Sequence, residues 1–398
     1  MRRINTLFLL ASLSIASAFA QLGSGFVGNG YYRIRNLATS RYIYVTDNKD
    51  YYNKMKDAED FQAIQLWKDA NKAIPDPATV IYIEQQANNK NNYDLQAQGT
   101  GVHQFTGMYV NVKNIAQGVY EVYASRAGVM KYLSDDEQST SEQGTMGTRG
   151  QNNYRRWVVD QITTNHATNY FGIKPDPNMQ VNGKYYQPFY AAFPFKLASP
   201  NMRVYYISKV SGSEAVMKEI LSGEVPASTP VIIECASTEP TNNRLELLTK
   251  SNITIKDNKL EGVYFCNGKR PQESTDAYKV FDESTMRVLS VVDGKLVMTN
   301  TDLSRVNKIK VTDWENLVKV QANCLFANTS YLPVAADIPA TLSITVDGTG
   351  IEDIISDNKD DAVEGVYTLS GAQLRTTNDV KGLPAGLYIV GGHKFVIK

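Results

Sequence analysis

Short runs in which apolar and polar residues alternate dominate this chain, separated by clusters of Gly, Asn and Asp. YYRIRN, TVIYIEQQ, GVYEVYAS, RVYYISKV, PVIIECAS, RLELL, KLEGVYF, GKLVM and GLYIVGG all read this way. A period of two sends successive side chains to opposite faces, so each run predicts a half-buried β-strand. Helical periodicity is nearly absent. Residues 54–64 (KMKDAEDFQAI) predict one short helix, and Glu214 to Leu221 a second. The expected class is all-β. Tyrosine is abundant at 24 residues and often paired, as at Tyr31-Tyr32, Tyr51-Tyr52, Tyr185-Tyr186 and Tyr205-Tyr206. In a strand such a pair sends one ring inward and one outward. An outward ring suits stacking on sugars or protein surfaces, whereas β propensity alone also accounts for the count.

The first piece, residues 25–168, repeats internally. Its units are YYRIRNLATSRYIYVTD (31–47), IYIEQQANNKNNYDLQAQG (81–99) and VYEVYASRAGVMKYLSD (119–135). Ile34, Ile83 and Val122 are equivalent, and so are Tyr42, Tyr93 and Tyr132. The first unit closes on Gln65-Leu66-Trp67 and the third on Arg155-Arg156-Trp157. No unit can bury its apolar face alone, so three are expected to close around a pseudo-threefold axis. This piece resembles the ricin-type β-trefoil, whose repeats end in Gln-x-Trp. The resemblance implies a core Trp and sugar binding by an acidic residue and an aromatic platform in each repeat. The ligand-binding candidates it suggests are Tyr44, Asp47, Asp94 and Asp135, with Asp136 beside the last.

The second piece, residues 170–346, predicts a β-sandwich. Val204, Tyr206 and Ser208 alternate with Tyr205, Ile207 and Lys209, and Pro226 and Pro230 bracket a loop before the strand Val231–Cys235. The run FYAAFPFKL … VYYISKV … GEVPASTPVII resembles a module common in exported proteins of the Bacteroidetes, which implies no activity. Residues 347–364 are polar and acidic and suit an exposed linker, with Asp357 to Asp361 read as a solvated loop in preference to a calcium site. The last piece, residues 365–398, predicts a small antiparallel meander. It resembles the C-terminal sorting domain of type IX secretion substrates through Val366-Tyr367-Thr368-Leu369-Ser370-Gly371 and Gly382-Leu383-Pro384-Ala385-Gly386-Leu387-Tyr388-Ile389-Val390, with Lys394 and Lys398 as a basic end. That resemblance implies type IX secretion machinery as a partner.

Residues 1–20 read as a cleaved signal peptide: Arg2 and Arg3, an apolar stretch from Leu7 to Ile15, then Ala18-Phe19-Ala20. No later stretch is apolar enough for a membrane span. The expected location is secreted or outer-membrane surface. The 41 basic and 41 acidic residues become 39 and 41 after cleavage, a balance that argues against a nucleic-acid partner. Cys235, Cys266 and Cys324 allow one disulfide at most, and buried free thiols are the expected state.

No G-x-S-x-G, H-E-x-x-H, P-loop or G-x-G-x-x-G motif occurs, and His103, His166 and His393 lie in loop-like contexts. The sequence therefore assigns no catalytic residue, no metal ligand and no cofactor. It predicts a non-catalytic binding protein for a glycan or a surface protein. A secreted hydrolase of unrecognised type acting on glycans or peptides, and a trefoil-type protease inhibitor using the 138–153 loop, are the alternatives.

Overall fold

The computed structural model describes residues 23–45, 64–67, 70–88, 92–99, 110–116, 118–126, 129–135, 145–147, 153–263, 279–302, 304, 306–313, 318–347, 355–356, 365–368, 373–384, 386–390 and 393–397. The signal peptide, Asp47, Tyr51, Tyr52, His103, Asp136, Cys266, residues 54–63 of the predicted helix, most of the 138–153 loop and the acidic run at 357–361 lie outside them. Two compact units divide the chain: Met1–Ser251 with Asp257–Asp347, and Asn252–Lys256 with Gly348–Lys398.

Among the described residues, regular secondary structure is overwhelmingly strand. In the repeat region the strands are β1 (Gly30–Asn36), β2 (Tyr42–Val45), β3 (Ile64–Trp67), β4 (Ile81–Gln85), β5 (Asn92–Ala97), β6 (Val110–Ala116), β7 (Val119–Arg126), β8 (Val129–Ser134), β9 (Thr145–Gly147) and β10 (Arg156–Gln161). β1 pairs with β4, β4 with β5, β5 with β6, β6 with β7, and β10 joins β7 back to β1. These six antiparallel strands form a closed ring, which leaves the ring no free edge. The strands β2–β3 extend from β1 and β8–β9 from β7.

The repeat explains the ring's interior. Tyr32, Ile81 and Tyr120 form one set at successive spacings of 49 and 39, and Ile34, Ile83 and Val122 form a second set two residues on. All six belong to a single buried cluster with Ile43, Leu95, Leu133 and Trp157. Trp157 is 1% exposed and its indole Nε1–H donates to the Leu133 carbonyl at 2.9 Å. The lead-in segment seals the core. Phe26 stacks on Tyr32 and meets Tyr93 edge-on, while its amide donates to the Tyr120 hydroxyl. This threefold, closed arrangement is β-trefoil-like.

The next region is a ten-stranded sheet that curls over its own core. In spatial order it runs Gln180–Val181, Lys184–Phe189, Val231–Cys235, Arg203–Ser211, Glu214–Glu219, Thr341–Val346, Lys295–Thr299, Met286–Val292, Ser330–Pro333 and Glu261–Gly262. Strands from both halves supply one core, including Tyr205, Ile207, Met217, Ile232, Leu289, Met298 and Leu342. A four-stranded sheet of Phe171–Gly172, Arg244–Leu247, Phe195–Leu197 and Glu224–Val225 and an antiparallel hairpin of Val306–Asp313 with Val318–Leu325 complete the described part of the region. The helix predicted from Glu214 is instead the strand Glu214–Glu219. Ala215 and Met217 are buried while Glu214, Val216 and Lys218 are half-buried, a period of two that outweighs helix-forming composition.

In the second unit Val366–Thr368, Gln373–Arg375, Gly386–Val390 and His393–Ile397 form an antiparallel sheet. The strand order corrects the predicted meander. Val366–Thr368 lies between Gln373–Arg375 and Gly386–Val390, so the connection after Arg375 crosses past it. That connection is long enough to do so, and Arg375 pins it by donating to the Asp379 and Lys381 carbonyls. Ile355–Ser356, within the stretch read as a linker, pairs with Ile253–Thr254.

Candidate functional site

Of the four sequence candidates, the three among the described residues lie in three different repeats. Asp47 is outside the described residues. Tyr44, Asp94 and Asp135 lie on β2, on β5 and just after β8. In sequence, Asp47, Asp94 and Asp135 stand five, one and three residues after the repeating tyrosines Tyr42, Tyr93 and Tyr132, so they are not equivalent positions of the repeat. Equivalent positions in a threefold fold would share one offset. Tyr44 is 6% exposed, so it offers no open ring face.

Asp135 is 2% exposed and fully engaged within the protein. Arg41 Nε donates to its Oδ2 at 2.8 Å, Arg41 Nη2 donates to Oδ1, and the Thr39 hydroxyl donates to Oδ2. A carboxylate held by a bidentate guanidinium and a hydroxyl locks the first and third repeats together. The third repeat has a similar structural pair in Glu121, which accepts from Arg155 Nε at 2.7 Å beneath the Tyr132 ring.

Asp94 is different. It is half-buried on the wall formed by β4 and β5, and Gln86 Nε2 donates to both carboxylate oxygens at 3.2 Å. Glu84 stands directly across the ladder from it and is also half-buried. Like charges directly opposite each other weaken a sheet, so this pair is unfavourable for folding alone. Burial raises the neighbouring Tyr82 phenol and the Glu84 carboxylate adds to the rise, which keeps the ring neutral. Two carboxylates supply acceptor sites only. Gln86 fixes one of them, so the wall is suited to a ligand rich in hydroxyl donors. Sequence reading singled out Asp94 but passed over Glu84 and Gln86, although strand alternation in IYIEQQ puts them on the face of Tyr82.

In two of the tyrosine pairs expected to be divided between the two faces, both rings are buried instead. Tyr31 is buried between Tyr82 and Phe193, and Tyr205 and Tyr206 are both buried. In the curled sheet, buried Glu234 accepts from Tyr186 at 3.1 Å and Tyr205 at 3.0 Å. Burial, with Glu234 next, pushes the Tyr186 phenol up to about 12, so it donates a hydrogen bond and does not ionise near neutrality. His166 Nδ1 accepts from the amides of Thr168 and Asn169 and thereby shapes a turn. Cys235 and Cys324 are buried and free. Among the described residues no group of three His, Cys, Asp or Glu side chains could hold a metal ion, and no helix is long and apolar enough to cross a membrane.

No protein-family model and no curated protein sequence matches the chain. Among solved structures it is similar to ThreeFoil, a designed threefold-symmetric protein, at 13% identity and TM-score 0.24, over 33% of this chain and 99% of that one. It is also similar to SeviL bound to asialo-GM1 saccharide, at 9% identity and TM-score 0.23, over 34% of this chain and 99% of that one. The trefoil-like assignment rests on the closed ring and its layered core, not on these likenesses.

Proposed function

We propose that this chain is a non-catalytic binding protein that takes a glycan on the second repeat of its trefoil-like region. The observation that carries the reading is the Glu84–Asp94 pair, two half-buried carboxylates opposed across one ladder with Asp94 oriented by Gln86. A sugar presents several O–H donors within a few ångströms, and carboxylate acceptors bind such donors with charge-assisted hydrogen bonds. Water would satisfy the same acceptors without orientation. The Gln86 contact supplies that orientation before the ligand arrives.

On the same reading the protein works outside the cell or on the outer surface of a Bacteroidetes-type bacterium. The leader at residues 1–20 directs export, and the C-terminal sheet acts as the type IX sorting domain. A glycan-array screen of the full chain without its leader, beside Asp94→Asn and Glu84→Gln, tests the binding claim. Saturable binding lost in both variants supports it. Binding untouched by either variant moves the site elsewhere, and no binding to any glycan refutes the lectin reading.

A further inference from the structure

We infer that the curled sheet is permanently docked on one face of the trefoil-like ring, so that the two unfold as one body instead of acting as a module and its spacer. The centre of the contact is a reciprocal amide clasp. Asn328 Nδ2 donates to Gln98 Oε1 at 3.1 Å, Gln98 Nε2 donates back to Asn328 Oδ1 at 3.4 Å, and the Ala192 amide donates to the same Gln98 oxygen. Asn328 also reaches the Tyr190 carbonyl at 3.0 Å. Gln98 is 0% exposed and Asn328 9%, so both amides are buried at the contact and leaving either unpaired is costly.

The backbone at the clasp is committed to it. Gln98 has φ of 63°, a left-handed conformation that costs a glutamine energy and persists only where its surroundings over-determine it, and Asn328, of a type that adopts this region more readily, has φ of 58°. Beside it, a Cβ on Gly99 would sit 2.7 Å from the Ala192 carbonyl oxygen, so the two backbones meet with no room for a side chain. Aromatic contact continues the seam from Tyr82 to Tyr31, to Phe193 and on to Phe171, with successive ring centroids 5.2, 5.9 and 5.3 Å apart.

Two arginines tie down the connecting segment. Arg33, 2% exposed on β1, donates to Asn169 Oδ1 and the Tyr170 carbonyl at 2.9 and 2.7 Å. Arg244 from the four-stranded sheet lies 3.9 Å from the centre of the Tyr170 ring and donates to the Thr164 and His166 carbonyls. A mobile linker between domains would leave such groups solvated; here they are buried or stacked. The inference makes no use of the glycan reading.

Hydrogen exchange with mass spectrometry on the full chain across a urea series tests it. Peptides from β4–β5 and from the strands Val231–Cys235 and Ser330–Pro333 should share one unfolding midpoint. Asn328→Ala, more than 200 residues from β5, should speed exchange in both sets together, roughly 10- to 100-fold for a buried amide left unpaired. Adding Gln98→Ala to it should cost less than the two single effects summed. Two separate midpoints in the wild type, or an Asn328→Ala effect confined to the sheet peptides, would overturn the inference. The wild-type comparison decides the matter even if a variant fails to fold.

Discussion

Replacing Asp135 with Ala should destabilise the fold and so report on packing, not on ligands. Arg41 is 3% exposed and Asp135 2%, and the guanidinium spends two donors on this carboxylate. Truncating Asp135 leaves Arg41 charged in a dry site, a loss of about 3–5 kcal/mol for a broken buried pair. Thr39 loses its acceptor as well, worth up to about 1 kcal/mol. With roughly 2–4 °C lost per kcal/mol in a body of this size, the melting temperature should fall by about 6–24 °C. Calorimetry on the full chain measures this directly. Replacing both partners, Arg41→Met with Asp135→Leu, removes the stranded charge and should recover most of the loss. An Asp135→Ala protein within about 1 kcal/mol of wild type would refute the reasoning, because it would mean that water reaches Arg41.

Two further outcomes follow from buried groups. Trp157→Phe deletes the indole donor to Leu133 and part of the core's largest side chain, and should cost about 2 kcal/mol in urea unfolding; a loss below about 0.5 kcal/mol would contradict the packing described. Burial, with Glu234 second, pushes the Cys235 thiol up to about 12, so the unfolded chain releases its proton first as pH rises. This contribution is fully present below the ordinary thiol value and is lost on rising toward about 12, so stability should fall over that window. The fall should be shallower in Cys235→Ala, and an unchanged alkaline profile would remove the thiol from the account.

Much of the trefoil-like region was legible because its signals are local and repeated. Alternation predicted β1, β4 and β7, and the spacing of Ile34, Ile83 and Val122 brought the three into one core. The resemblance to the ricin-type repeat implied a core Trp, and Trp157 is buried. The site was less legible. Asp94 and Asp135 look alike in sequence, and it is Arg41, 94 residues from Asp135, with Thr39 that makes one of them structural. The clasp has no local signature, since Gln98 and Asn328 lie 230 residues apart and neither is a usual interface residue. Glu214–Glu219 was ambiguous because a short amphipathic run suits a helix or a strand until its neighbours are known. The C-terminal strand order depended on how a connection between strands crosses, which turn residues alone do not specify.

The central claim, that the β4–β5 wall receives a glycan, is tested most directly by NMR. The best saccharide from the array would be titrated into isotope-labelled full chain and backbone amide shifts mapped. The account predicts saturable shifts centred on Glu84, Gln86 and Asp94, abolished in Asp94→Asn while the rest of the spectrum stays unchanged. Shifts confined to the curled sheet, or none at saturating saccharide, would contradict it.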